Sequence, residues 1–204
     1  MKSGSEKQLG FFFARIGFDS MIVCMKSEKK IGAYFHRTAE LKAYEPDYPE
    51  VAVRVADLIR AKLPSVVIEH IGSTAVPNCD GKGTIDLMVL YAEGQVEITK
   101  ETLDSLGFEP QPHKEPFGED RPMKVGAISC NKKVFQIHVH VIEEGDPEAV
   151  SMIRFRDRLR EDDGLMQEYI GCKKRILQSG ITDSLEYCKA KQVFIENVLS
   201  CESG

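Results

Sequence analysis

His70-Ile71-Gly72-Ser73-Thr74-Ala75-Val76-Pro77, followed by Ile85-Asp86-Leu87-Met88-Val89, is the stretch on which the fold turns. Ser65 to Ile71 is rich in β-branched residues and predicts a strand. Gly72 to Gly83 is rich in turn formers. Thr84 to Leu90 predicts a second strand, and its near-continuous apolar character predicts burial on both faces. Upstream, Val51, Val55, Leu58, Ile59 and Leu63 recur at helical spacing from Asp47 onward, and Pro64 stops the helix. Downstream, Thr99 to Leu106 predicts a short helix closed by Gly107. Residues 108–124 carry Pro110, Pro112, Pro116, Gly118 and Pro122 and predict a long irregular loop.

Val125 to Ser129 and Val134 to Ile142 predict a hairpin around Cys130 to Lys133. The last third predicts three helices. The first is opened by Asp146-Pro147 and ends before Gly164. The second runs from Leu165 to Gln178 and stops at Gly180. The third starts at Asp183, paired with Glu186, and carries an inward stripe of Tyr187, Ala190, Phe194 and Val198. Strands with helices segregated to either side of them define an α+β class: a mixed β-sheet with flanking helices and a helical C-terminal third.

Composition narrows the function. At 204 residues, 42% apolar and 29% charged, the chain is ordinary globular material, and it is long enough to form a core without disulfides or structural metal. Its net charge of −5 argues against general nucleic-acid binding, which needs surplus Lys and Arg. Six cysteines without a CxxC pair predict reduced thiols and a cytoplasmic protein. The apolar run Leu9 to Phe13 is broken by Arg15 and Asp19, too short to span a membrane. Residues 1–43 carry a net +4 and residues 44–150 a net −9, so the leader differs from the body. We expect 1–43 to be a poorly ordered or partly dispensable leader, with translation starting naturally near Met25 and 1–24 an extension. Residues 44–200 form the domain.

Gly72 allows close backbone approach to a ligand, and Ser73 and Thr74 present hydroxyls for a phosphate oxygen. Asp86 on the next strand offers a carboxylate for Mg²⁺. His138 and His140, two apart on a strand, share a face. If that face is also Asp86's, with His70 near, the four form a His/carboxylate set suited to Zn²⁺ or Mn²⁺. The run Arg154, Arg156, Arg158, Arg160 is mostly a solvated helix face, with Arg156 and Arg160 placed together to reach a phosphate. Lys173, Lys174, Lys189 and Lys191 read as helix-surface lysines. No basic partner in the sequence activates Cys79.

The Gly-Ser-Thr-Ala-Val-Pro stretch with Lys82 and Ile85 to Val89 resembles the GrpB family. So do Tyr44-Glu45-Pro46-Asp47-Tyr48-Pro49-Glu50, His138-Val139-His140-Val141 and Phe155 to Arg160, in that order, over about 44–200. The resemblance implies the nucleotidyltransferase superfold, the palm of polymerase-β-like enzymes, whose Gly-Ser turn matches Gly72 and Ser73 and whose first metal-binding acid matches Asp86. The superfold's second acid falls on Met88, and the strand of its third acid carries Gln136, His138 and His140. The expected ligand is therefore a nucleotide or phosphorylated small molecule. Ser73 and Thr74 hold phosphate, Lys82 and Arg156 neutralise charge, Asp86 positions a divalent metal (Mg or Mn; Zn if the histidines ligate), and His138 or His140 serves as base. Two alternatives accompany it. The first is a non-catalytic ligand-binding or protein-interaction module that kept the fold, and the second is a His/Asp metal enzyme of unrelated chemistry.

Overall fold

The computed structural model describes residues 31–35, 38–112 and 121–200. The expectation for 1–24 lies outside these residues. The elements run α1 (Tyr48–Arg60), β1 (Val67–Ile71), a 3₁₀ turn (Ser73–Ala75), β2 (Thr84–Tyr91), α2 (Val96–Leu106), β3 (Glu109–Pro110), β4 (Met123–Cys130), β5 (Lys133–Glu143), α3 (Pro147–Glu161), α4 (Asp163–Gln178) and α5 (Ser184–Ser200). The sheet order is β1-β2-β5-β4-β3. β2 and β5 pair in parallel at its centre, and the other pairs are antiparallel. This is the α+β mixed sheet with a helical C-terminal third that the sequence predicts.

Alternation along β2 and β5 sorts the side chains between two faces. Ile85, Leu87, Val89, Ile137, Val139 and Val141 point to one face and pack against Val51, Val55 and Ile59 of α1. The opposite face is closed by α3 at one end only, where Ile71, Met88, Ile142 and Ala149 form a small cluster. Its other end carries Thr84, Asp86, Gln136 and His138, in the register Thr84 with Gln136 and Asp86 with His138. A third cluster ties α3, α4 and α5 to the loop after the 3₁₀ turn through Val76, Cys79, Phe155, Tyr169, Ile170 and Val198.

Local signals account for most boundaries. Asp146 Oδ1 accepts from Glu148 N at 2.7 Å and caps α3. Asn131 and Lys132, both at positive φ, make the two-residue turn between β4 and β5. α4 begins earlier than expected, because Asp162 Oδ1 caps it by accepting from Leu165 N at 2.9 Å, so Gly164 lies inside its first turn. β4 starts at Met123, inside the stretch expected as loop, because Met123 and Lys124 pair with His140 and Val139 of β5, and Glu109 and Pro110 of the same stretch pair with Val125 and Lys124.

The end of the leader is tied to the domain. Gly32 and Ala127 exchange backbone hydrogen bonds of 2.7 and 2.9 Å at the edge of β4. Phe35 N donates to Gln136 Oε1 at 2.9 Å, and Lys42 pairs with Gly81. Residues 31–35 and 38–43 thus reach the half-open face of the sheet. Among the described residues no helix is long and apolar enough to cross a membrane, and Cys79, Cys130, Cys172 and Cys188 are free thiols.

Candidate functional site

Asp86 and His138 are neighbours in the parallel β2–β5 ladder, and His140 follows one pleat further along the same face. Asp86 Oδ1 lies 3.3 Å from His138 Nδ1 and 3.7 Å from His140 Nε2. Burial pushes the Asp86 carboxyl up, but the hydrogen bond from His138 and the adjacent His140 imidazole outweigh it and hold it well below the usual carboxylate range. Burial lowers His138, against the opposing pull of Asp86. Neutral pH therefore finds a carboxylate beside a neutral imidazole. Donating Nδ1–H to Asp86 leaves His138 Nε2 as an acceptor, and Tyr34 Oη lies 3.1 Å from it.

The turn below is shaped by glycine. Gly72 sits at φ +72°, and a Cβ there would lie 2.6 Å from Asp86 Oδ2, so only glycine lets the backbone pass under the carboxylate. Gly81 closes on the next residue, since its Cβ would lie 2.8 Å from that of Ser73. Lys173, 1% exposed, reaches from α4 to donate to Ser73 Oγ at 3.1 Å and to the Asp80 carbonyl. Its ammonium also lies 3.4 Å from Cys79 Sγ and 4.2 Å from the Tyr169 ring centroid. Burial lowers the Lys173 pKa, with Cys79 opposing. Lys82 and Lys191 each place Nζ 5.7 Å from the centroid of the Tyr187 ring. Both are within electrostatic reach of the histidine–carboxylate pair, Lys82 of His138 and Lys191 of Asp86. Among the described residues none of these three lysines forms a salt bridge to a carboxylate, and the Tyr187 hydroxyl is buried without a hydrogen-bond partner.

The structure brings Gly72, Ser73, Lys82, Asp86, His138 and His140 to one place. His70 pairs with Leu87 in the β1–β2 register, which turns its side chain to the opposite face from Asp86. There its Nε2 meets Thr74 Oγ1 at 3.0 Å. Thr74, 2% exposed, donates that hydroxyl to the Thr84 carbonyl at 3.3 Å, so it holds the turn together. Arg156 is committed to Glu69 at 2.6 Å, Asp157 at 2.8 Å and the His70 carbonyl at 3.0 Å. Arg160 ties α3 to the Ala75 carbonyl at 3.0 Å. Met88, where the resemblance would put a second acid, is fully buried under α3.

The donor set does not complete a metal site. Asp86 gives its one well-placed oxygen to two imidazoles. Among the described residues no group of three or more His, Cys, Asp or Glu side chains is arranged to hold an ion.

Sequence reasoning missed Tyr34, Lys173 and Lys191. Tyr34 falls in the leader, and helical spacing alone reads the two lysines as surface residues. One signal was available: Tyr169 with Lys173 and Tyr187 with Lys191 repeat a Tyr-x₃-Lys spacing on consecutive helices, which puts each ring and ammonium on one helix face. Nothing in the sequence pairs Tyr34 with His138.

A five-stranded mixed sheet with a Gly-Ser turn between β1 and β2, a carboxylate beside two histidines and a helical tail defines the α+β class of this protein. A model of the GrpB protein family matches residues 38–200, and the chain belongs to that family. It is 32% identical over 141 residues to a UPF0157 protein of Vibrio cholerae, covering 69% of this chain and 70% of that one. A UPF0157 protein of Halalkalibacterium halodurans is 27% identical over 162 residues, covering 78% and 80%. The crystal structure of conserved protein GrpB from Enterococcus faecalis shares the fold at 22% identity and a TM-score of 0.59, over 78% of this chain and 99% of that one. The Cid1 poly(U) polymerase bound to MgGTP aligns at a TM-score of 0.47 and 15% identity, over 64% and 42%.

Proposed function

We propose that the site holds a nucleotide or another phosphorylated small molecule, with its phosphates against Ser73, Lys82, Lys173 and Lys191. The observation that carries this reading is the gathering of three ammonium groups around the turn, Lys173 on Ser73 Oγ and Lys82 and Lys191 over the Tyr187 ring, none of them in a salt bridge to a carboxylate among the described residues. Taking an ammonium out of water is costly unless an anion compensates it. A phosphate supplies that charge and several acceptor oxygens. The buried Tyr187 hydroxyl adds a further donor beside two of the lysines.

The chemistry that suits such a site is in-line displacement at phosphorus, driven by positioning and charge neutralisation. His138 accepts the proton of the attacking hydroxyl, and Asp86 orients the imidazole and stabilises its charged form. The ammonium groups do the neutralising that the superfold assigns to metal. A divalent cation would then arrive only with the ligand's phosphates. The setting is cytoplasmic, where nucleotides and free thiols coexist. A second reading, binding without turnover, is favoured by Met88 at the second acid position, and loss of turnover but not of binding is its signature.

Thermal unfolding against nucleotides and phosphorylated metabolites, each with Mg²⁺, Mn²⁺, Zn²⁺ or a chelator, tests the reading. A ligand at 100 times its Kd adds about 2.7 kcal/mol, a midpoint rise of roughly 5–10 °C. One ligand class should raise the midpoint with or without chelator, and Lys191→Ala should weaken its binding about tenfold or more. A panel that leaves the midpoint unmoved would overturn the reading.

A further inference from the structure

We propose that the Tyr34 hydroxyl is a nucleophile of this site and that the chain nucleotidylates itself there. This rests on the reading above and names the acceptor for it. Tyr34 Oη, His138 and Asp86 stand in series, hydroxyl to imidazole Nε2 at 3.1 Å and imidazole Nδ1 to carboxylate at 3.3 Å. A hydroxyl within hydrogen-bond reach of a base, itself oriented by a third group, is the arrangement that activates serine, threonine and cysteine nucleophiles elsewhere. A phenol is a weak nucleophile until a base takes its proton, and here the carboxylate fixes the tautomer that leaves Nε2 free to do so.

The placement of Tyr34 is built. Gly32, two residues before it, exchanges two backbone hydrogen bonds with Ala127. Phe35, one residue after it, donates to the buried Gln136 side chain. The two rings, Tyr34 and His138, sit with centroids 5.4 Å apart at 44°. Tyr34 and Lys82 also line one small cleft, in which Glu40 is paired with Lys42, so a phosphate neutralised by Lys82 would lie on the hydroxyl's side.

The step balances with a nucleoside triphosphate as donor. Tyr34 Oη attacks the α-phosphorus, forming a P–O bond. The bond from that phosphorus to the oxygen bridging toward the β-phosphate breaks, and pyrophosphate leaves. The phenol proton passes to His138 Nε2. Lys82 and Lys191 offset the negative charge on the transferring and leaving groups, and the product is a tyrosyl nucleotide ester on this chain.

The test incubates the full chain with ATP, GTP, CTP or UTP, with Mg²⁺ and with chelator, and follows intact mass and then peptide mapping. One nucleotidyl-sized increment per chain, mapped to Tyr34 in the unmodified sequence, is the expected result. Tyr34→Phe should abolish it, and His138→Ala should slow it about 100-fold or more. A melting curve for each variant separates loss of chemistry from loss of fold, and the mapping on the parent chain needs no variant. If a non-hydrolysable triphosphate analogue raises the melting midpoint but Tyr34 stays unmodified, the inference falls and the binding reading stands. An increment on another residue, or a phosphoryl-sized one on Tyr34, also overturns it. Neither binding nor an increment overturns both.

Discussion

The two faces of the β2–β5 pair are built from one backbone and do opposite work. On one, Ile85, Val89, Ile137, Val139 and Val141 are wholly buried against α1. On the other, one residue away along each strand, Asp86, His138 and His140 are partly exposed and share hydrogen bonds and charge. The apolar face holds its partners by area removed from water, which tolerates no polar atom without a partner. The polar face is left half open because α3 covers only the end that carries Met88 and Ile142. Stability and chemistry are thus separated by the pleat of the strand alone.

Substitutions can break that separation, and the largest effect belongs to the apolar face. Ile137→Ala, at a position with no exposed surface, should cost about 3 to 4 kcal/mol. Guanidinium unfolding measures it, and ligand-induced stabilisation in the remaining folded protein should be unchanged. An altered ligand response would mean the two faces are coupled.

A comparable effect, set by pH, sharpens the contrast, because His70 is an ionisable group on the apolar face. Burial lowers it from 6.5 to about 4, with Asp86 opposing. The unfolded chain therefore takes up this proton first as pH falls. Stability should decline between pH 6.5 and about 4, by about 3 kcal/mol from this group, and level off below that. Urea midpoints across that range for the parent chain and His70→Gln test it. A slope that persists in the variant would assign it to other groups.

The smallest stability effect falls on the polar face and should carry the largest functional loss. Gly72→Ala puts a side chain at positive φ and within 2.6 Å of Asp86 Oδ2. It should cost only about 1–2 kcal/mol yet remove ligand stabilisation by displacing the carboxylate. Calorimetry with the ligand class that the unfolding panel selects reads both. A variant that binds normally would show that the turn does not set the position of Asp86.

Strand period carried much of this in advance. The spacing of His138 and His140 puts those two side chains on one face before any coordinates, and the parallel register of β2 with β5 then adds Asp86 to it. The same parity argument, applied to β1, would have removed His70 from the set. Its register against β2 was the missing fact, and a one-residue slip reverses every side chain. Arg156 was legible as a phosphate-facing arginine only while Glu69 was not known to lie beside it, since that contact joins a strand to a helix 87 residues later.

The sequence by itself determined the α+β class, the glycine-dependent turn after β1, the helix caps at Asp146 and Asp183, and the shared face of His138 and His140. These follow from interactions within a few residues, which local periodicity and backbone sterics record. Only the tertiary structure decided that Lys173 meets Ser73, 100 residues away, and that Tyr34 meets His138, 104 residues away. Such contacts exist because the helical tail packs on the loop after the 3₁₀ turn and residues 31–35 pair along the β4 edge. No local pattern encodes a meeting that depends on where whole elements come to rest.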